Sequence, residues 1–102
     1  MDNRKVYVTN KGSHDYTAAW DFGDLVFCTE GFVNRKDLAT MHSELSKAMA
    51  DCQEDDFILL TSLSSLCAIA CGIFASKFGK LNILIFEDGD YLERYITFDE
   101  AQ

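Results

Sequence analysis

Two short polar segments of the chain carry the residue types that bind small anions. Residues 10–16 include a lysine, a glycine and a histidine, and residues 61–65 include four hydroxyl side chains. Backbone amides at a helix N-terminus, hydroxyls and a lysine together suit a phosphate or another anion. We therefore predict a ligand site formed by Lys11, Gly12, Ser13, His14, Asp15, Tyr16, Arg35, Thr61, Ser62, Ser64 and Ser65.

The spacing within these segments is not that of an established phosphate-binding loop. Neither segment has the glycine pattern of a Walker loop or of a dinucleotide-binding fingerprint. Serine and threonine are also ordinary N-cap residues, and glycine is an ordinary turn residue, so capping and turn formation alone would account for them. The site hypothesis therefore depends on whether the fold brings the two segments together.

Catalytic roles for the same residues lack partners in the sequence. Adjacent His14 and Asp15 are typical of metal-dependent phosphohydrolases, but such centres need further ligands, and His42 is the only other histidine. A nucleophilic pair of Cys28 and His14 has no orienting third group and no oxyanion hole. We therefore favour binding over catalysis, and we predict no metal and no cofactor.

Apolar runs indicate the elements that would position the two segments. Residues 57–61 and 81–86 are largely apolar, and between them lie a serine-rich break and a helix-length apolar segment that ends at Gly79. This pattern is typical of two parallel strands joined by a helix, with Ser62 as the predicted N-cap. In an open parallel sheet, ligands bind beyond the carboxyl ends of the strands, where both polar segments lie.

The whole chain is predicted to form five strands and two main helices in the order β-β-α-β-α-β-β. An amphipathic helix of about 18 residues follows Asn34, its predicted N-cap, and residues 88–89 (Asp-Gly) signal a hairpin turn. We predict a single α/β domain over residues 1–102, with a mixed, mostly parallel, Rossmann-like sheet flanked by two main helices and a C-terminal β-hairpin. The predicted strands span residues 4–9, 24–29, 57–61, 81–86 and 91–98. If the first and third strands are neighbours, the two polar segments converge.

The aromatic and apolar residues suggest a role for one tyrosine and an assembly. Tyr16 is placed to stack on a nucleobase, whereas Trp20 and Phe32 are predicted to be core residues. The helix of residues 62–77 is apolar on nearly every side. A chain of this size can hardly cover such a helix completely, so we predict a homo-oligomer.

Charge and cysteine content limit the partners and the setting. Of the net charge of −8, residues 1–50 contribute 6 − 7 = −1 and residues 51–102 contribute 3 − 10 = −7. The acidic half disfavours binding to nucleic-acid backbone and favours a basic protein partner. Four cysteines without paired spacing, and no secretory leader, indicate reduced thiols in the cytoplasm. Residues 66–75, the longest apolar stretch, are too few for a membrane span, which needs about 20 residues.

Several segments resemble small accessory proteins encoded by tailed bacteriophages. The resemblance is carried by residues 10–16, by residues 22–31, and by residues 81–86 together with Tyr-Leu-Glu-Arg at 91–94. It implies a phage protein in the host cytoplasm and supplies no catalytic residues. The function that follows is binding of a small anionic or nucleotide-derived ligand, with sequestration of a host defence signal as its purpose. The alternative is an inhibitor that presents the acidic residues 51–56 and 87–90 to a basic host or defence protein.

Overall fold

The structure, a computed structural model, describes residues 4–34 and 36–98. Its helices are α1 (Leu38–Ala48) and α2 (Ser64–Phe78), and a short 3-10 helix covers Thr17–Phe22. The predicted α/β class and order of elements are confirmed. The strands are β1 (Lys5–Val8), β2 (Asp24–Phe27), β3 (Phe57–Leu59), β4 (Lys80–Glu87) and β5 (Asp90–Thr97).

The five strands form one sheet in the order β2-β1-β3-β4-β5. Strand β1 lies parallel to both β2 and β3, β3 lies parallel to β4, and β4 pairs with β5 in the antiparallel sense. The predicted hairpin turn is confirmed, since Asp88 and Gly89 have φ values of 53° and 83°, as a two-residue type I′ turn requires. The first and third strands are neighbours, so the condition for convergence of the two polar segments is met.

The connections that follow β1 and β3 lead to opposite sides of the sheet order β2-β1-β3-β4-β5. The step from β1 to β2 passes through the 3-10 helix, whose Ala19 packs with Val6 and Val8 on one face of the sheet. The steps from β2 to β3 and from β3 to β4 run in the opposite direction and pass through α1 and α2, which pack on the other face. Opposite directions on opposite faces preserve one hand of crossover. The β1/β3 boundary is therefore a topological switch point.

Alternation along the central strands gives the protein a core on each side of the sheet. Tyr7 and Ile58 point to the helix face, which we define as the side covered by α1 and α2, and they pack there with Leu45 and Phe74. The neighbouring residues of the same strands point to the second face and join a separate buried cluster. Because both faces are covered, these strands contain almost no polar side chains.

Both predicted N-caps differ from those in the structure. Helix α1 begins after Asp37, whose carboxylate accepts hydrogen bonds from the Thr40 amide at 3.2 Å and the Thr40 hydroxyl at 2.8 Å. Asn34 instead holds a turn before the helix by accepting from the Lys36 amide, so α1 has 11 residues rather than about 18. Helix α2 has its N-cap at Leu63 rather than Ser62, and no side chain caps it.

Two aromatic residues that we predicted to be core are on the surface. Trp20 is 66% exposed and Phe32 is 93% exposed. The apolar helix α2, by contrast, is largely covered: Leu66, Ala70 and Phe74 are buried, and its outward positions carry small residues at 68, 72 and 76. The homo-oligomer inferred from this helix stays a prediction.

The buried carboxylate of Asp56 links the start of β3 to the start of β1. One of its oxygens accepts a hydrogen bond from the Lys5 amide at 2.9 Å, and the other accepts from the Gln53 amide at 2.7 Å. The Asn82 amide group donates to the carbonyl of Asp56 at 3.0 Å and so ties β4 to the same point. Asp56 therefore has a structural role, and it is not part of an exposed acidic surface as the inhibitor alternative assumed.

The buried thiol of Cys28 predicts a stability that falls in alkaline solution. Burial, and secondarily Cys52, raises the pKa of Cys28 from 9.0 to about 12. As the pH rises, the unfolded chain loses this proton before the folded protein does. The contribution of the Cys28 thiol to the free energy of unfolding is therefore complete below pH 9.0 and is lost progressively as the pH rises towards about 12. We expect urea denaturation to show a loss of up to about 1.4 kcal/mol per pH unit from this thiol. In Cys28→Ala the decline should be shallower, and an unchanged slope would contradict the assignment.

Candidate functional site at the carboxyl ends of β1 and β3

A crevice of about 410 Å³ opens beyond the carboxyl ends of β1 and β3, at the switch point of the sheet. Its volume falls within the range of sites for small molecules. One wall comes from the loop after β1, the other from the segment between β3 and α2, and the hairpin of β4 and β5 closes one end. The lining residues are Asn10, Gly12, Ser13, His14, Tyr16, Leu59, Leu60, Thr61, Ser62, Leu63, Phe86 and Tyr91.

Hydrogen bonds to Asn10 hold the loop after β1 in place. Its side-chain amide donates to the Thr29 hydroxyl at 3.0 Å and to the Gly31 carbonyl at 3.2 Å, which attaches the loop to the end of β2. The Tyr16 hydroxyl donates back to the Asn10 carbonyl at 3.2 Å and so closes the loop on itself. Residues 12–14 at the tip of the loop are thereby fixed against the crevice.

Hydroxyl groups at the strand ends bond to one another beneath the crevice. The Thr9 and Thr61 hydroxyls lie 2.9 Å apart, and each lies 3.7 Å from the sulfur of Cys67. The Thr61 amide donates to the same sulfur at 3.3 Å. These partners stabilise the floor of the site. The Thr61 hydroxyl is therefore partly engaged, whereas the Ser62 side chain makes no hydrogen bond to the described residues.

Helix α2 starts directly at the crevice. Leu63, its N-cap residue, is a lining residue, and the helix has no side-chain cap. The first-turn amides of Ser64 and Ser65 therefore donate no hydrogen bond to a capping side chain. Free amides and the positive end of the helix dipole favour an anionic group at this position.

Aromatic rings line the end of the crevice formed by the hairpin. The His14 ring lies between Tyr16 and Phe86, with ring centroids 5.1 Å and 4.9 Å away and edge-to-face geometry. Phe86 in turn contacts the Tyr91 ring at 5.3 Å. Because Phe86 is 45% exposed, part of its ring is available to a ligand. This wall is suited to a planar, apolar part of a small molecule.

Tyr91 is a lining residue of the crevice, and its hydroxyl is buried without a hydrogen-bond partner among the described residues. Only 4% of this residue is exposed. Burial, followed by the neighbouring Tyr16 and Asp15 side chains, raises the pKa of Tyr91 above its ordinary value of 10.0, so the hydroxyl keeps its proton and can donate. A buried hydroxyl without a partner is costly. It is therefore the strongest indication of a missing acceptor at this site.

The crevice includes about half of the residues that the sequence suggested. Asp15 lies outside the lining, and its carboxylate bonds to the amide and hydroxyl of Thr17, which lowers the pKa of Asp15. Lys11 also lies outside, with its amine 5.2 Å from the Phe27 ring centroid. Arg35 falls outside the described residues. The lining contains Gly12, Ser13, His14, Tyr16, Thr61 and Ser62, and it does not contain Lys11, Asp15, Ser64 or Ser65.

Sequence reasoning missed Asn10, Phe86 and Tyr91 as lining residues. The sequence contains the signal for two of them, because a two-residue turn at residues 88–89 pairs Phe86 with Tyr91. This pairing places both rings at one end of the hairpin. What the sequence pattern did not show is that the loop after β1 reaches across to them.

A comparison with known protein families matches residues 4–99 to the family described as phage Pam3 gp32-like protein. The chain belongs to this family. The resemblance to small phage-encoded proteins is thereby confirmed. No curated protein matches the chain, and no solved structure does so either.

The residues considered for catalysis lie in different surroundings. Cys28 packs against the helix-side core, whereas His14 contacts rings at the crevice, and a pKa of about 12 keeps the Cys28 thiol protonated. Across residues 4–34 and 36–98, no three His, Cys, Asp or Glu side chains are grouped so that they could hold a metal ion. The helices of the same residues include none that is long and apolar enough to cross a bilayer.

Proposed function

We propose that this phage protein binds a small nucleotide-derived ligand with an anionic group in the crevice. The observation that supports this most directly is the buried, unpartnered hydroxyl of Tyr91, a residue that lines the crevice together with the start of α2. In an infected cell, such binding would sequester a host defence signal of this chemical class. The protein would hold its ligand unchanged, since the crevice offers no complete set of catalytic groups.

The two ends of the crevice suit two parts of one ligand. The anionic part would lie against the amides that begin α2 and the hydroxyl of Ser62, and the planar part would lie against Phe86 and His14. Among the described residues, the lining includes no lysine or arginine. Binding would therefore depend on neutral donors and the helix dipole, and its affinity should vary less with salt than that of a lysine-lined site.

Native mass spectrometry with a nucleotide-rich cell extract tests this proposal. We expect an added mass of nucleotide size that is released unchanged on denaturation, followed by saturable binding of the purified compound in calorimetry. His14→Ala should weaken that binding about 10-fold, because it removes a ring from the wall. Lys11→Ala is the matched control from the same loop and should bind normally, since its amine lies outside the lining. Apo-protein in every spectrum, or equal losses in both variants, would refute the proposal.

The inhibitor alternative retains most of its predicted acidic surface. The turn between β4 and β5 exposes Glu87, Asp88 and Asp90, and the acidic residues of the other segment are exposed except for Asp56, whose carboxylate is buried. A basic host protein could therefore meet the hairpin turn or the exposed residues before Asp56. Charge reversal at both places would abolish such an interaction and leave ligand binding in the crevice intact. The same mass spectra report the number of subunits and so test the predicted homo-oligomer.

A further inference from the structure

We propose that the open edge of β2 binds an extended segment of a partner protein in which an apolar residue is flanked by lysine or arginine. Beside this edge lies a second concavity of about 620 Å³, which we call the edge groove. It is distinct from the ligand crevice, with which it shares only Tyr16. Its other lining residues are Thr17, Trp20, Gly23, Asp24, Leu25 and Phe27.

The backbone of β2 offers hydrogen-bonding groups to a further strand. Strand β2 is terminal in the sheet order and, among the described residues, pairs only with β1. The Asp24 amide donates at 3.0 Å to the carbonyl of Arg4, just before β1, and the Cys28 amide donates at 2.9 Å to the carbonyl of Val8. Since successive residues of a strand alternate in direction, the N–H and C=O groups of Leu25 and Phe27 point away from β1. An extended peptide can therefore pair with this edge, as in β-strand addition.

The edge groove provides an apolar surface for a side chain of such a peptide. Trp20 is 66% exposed, and Phe27, which points to the same face of the sheet as Tyr16, is 37% exposed. A tryptophan this exposed is a typical anchor of a protein interface, because its large ring is desolvated only when a partner binds. Alternate residues of a paired strand would direct one side chain towards this ring.

The charge of the surface indicates which kind of segment fits. Among the described residues, Asp24 is the only charged one that lines the groove, and the exposed Asp21 follows Trp20 directly in the chain. Lys11 lies at the far end of β2, where its amine is over the Phe27 ring and its backbone forms an isolated parallel β-bridge with Glu30. A second copy of this chain would bring a further net charge of −8 to the contact. A strand flanked by basic residues avoids that repulsion and neutralises Asp24.

Selection from a random peptide library against the intact protein tests the proposal. We expect the enriched peptides to share an apolar residue close to lysine or arginine, and Trp20→Ala to weaken their binding at least about 10-fold. Phe32→Ala is the matched control, because Phe32 is even more exposed but does not line the groove. Bound peptide should also slow hydrogen exchange of the Leu25 and Phe27 amides, and methylation of alternate peptide nitrogens should abolish binding.

Three results would overturn the proposal. They are a library without enriched peptides, enriched peptides that bind Trp20→Ala normally, and self-association of the free protein that Trp20→Ala abolishes, which would assign the groove to a second copy. Trp20 lies outside the ligand crevice, so Trp20→Ala should leave nucleotide binding unchanged. The two proposals can therefore fail independently.

Discussion

Replacing Tyr91 by phenylalanine should weaken ligand binding about 10-fold or more and, at the same time, stabilise the ligand-free protein. The hydroxyl is buried without a partner in the structure, so its removal relieves an unsatisfied donor, for which we expect a gain of about 1 kcal/mol. In the complex, the same hydroxyl would donate to the ligand, and a hydrogen bond to a charged group is worth about 1.5–3 kcal/mol. Calorimetry and urea denaturation measure the two effects.

The change in affinity distinguishes a binding role from a structural one. If Tyr91 only filled the core, Tyr91→Phe would leave the affinity unchanged because the ring is retained, although loss of the unpartnered hydroxyl would still stabilise the protein. Tyr95→Phe is the matched control on the same strand, since Tyr95 is 74% exposed and lies outside the crevice. A loss of stability in Tyr91→Phe would show that the hydroxyl already has a hydrogen-bond partner. The observation on which the proposed function rests would then be wrong.

Replacing Asp56 by alanine should destabilise the protein by about 3 kcal/mol. The substitution removes the acceptors of the Lys5 and Gln53 amides and leaves both donors partly buried without partners. Each such donor costs about 1–3 kcal/mol. For a chain of this length, the loss corresponds to a fall of more than about 10 °C in Tm. Thermal unfolding followed by circular dichroism measures it.

Asp55, the preceding residue, provides the control for this experiment. It has the same charge but is exposed, and Asp55→Ala should change stability by no more than about 0.5 kcal/mol. If the two variants were equally stable, the hydrogen bonds of Asp56 would not be important for the fold. If Asp55→Ala were the more damaging, the acidic segment would have a role that its exposure does not suggest.

The sheet could be predicted from the sequence because its strands are buried on both faces. Residues 57–59 are wholly apolar, and the period of two in β5 together with the turn at residues 88–89 defines the hairpin. The ends of helices were less predictable. Ser62 and Asn34 are of the residue types that favour N-caps, but the helices begin after Leu63 and Asp37 instead. Of these two, only Asp37 has a side-chain oxygen that accepts a hydrogen bond from the helix.

The candidate site was predictable where it follows from chain direction and unpredictable where it depends on packing between distant segments. Strand ends bring His14 and Ser62 to one crevice, as the parallel arrangement requires. The contact of His14 with Phe86 joins residues 72 positions apart in the chain (86 − 14), and no local pattern encodes it. Exposure of Trp20 also could not be read from its type, because an aromatic residue is equally suited to a core and to an interface.

The two-residue turn between β4 and β5 makes the ligand site sensitive to chain length. Phe86 lies opposite Tyr91 because the turn contains two residues and no more. Side chains alternate along a strand, so insertion of one residue into β5 before Tyr91 would shift the register and turn every side chain of that strand to the other face. The inserted residue would then replace the phenol in the crevice. Members of this phage family that retain the site should therefore keep this hairpin free of insertions and deletions.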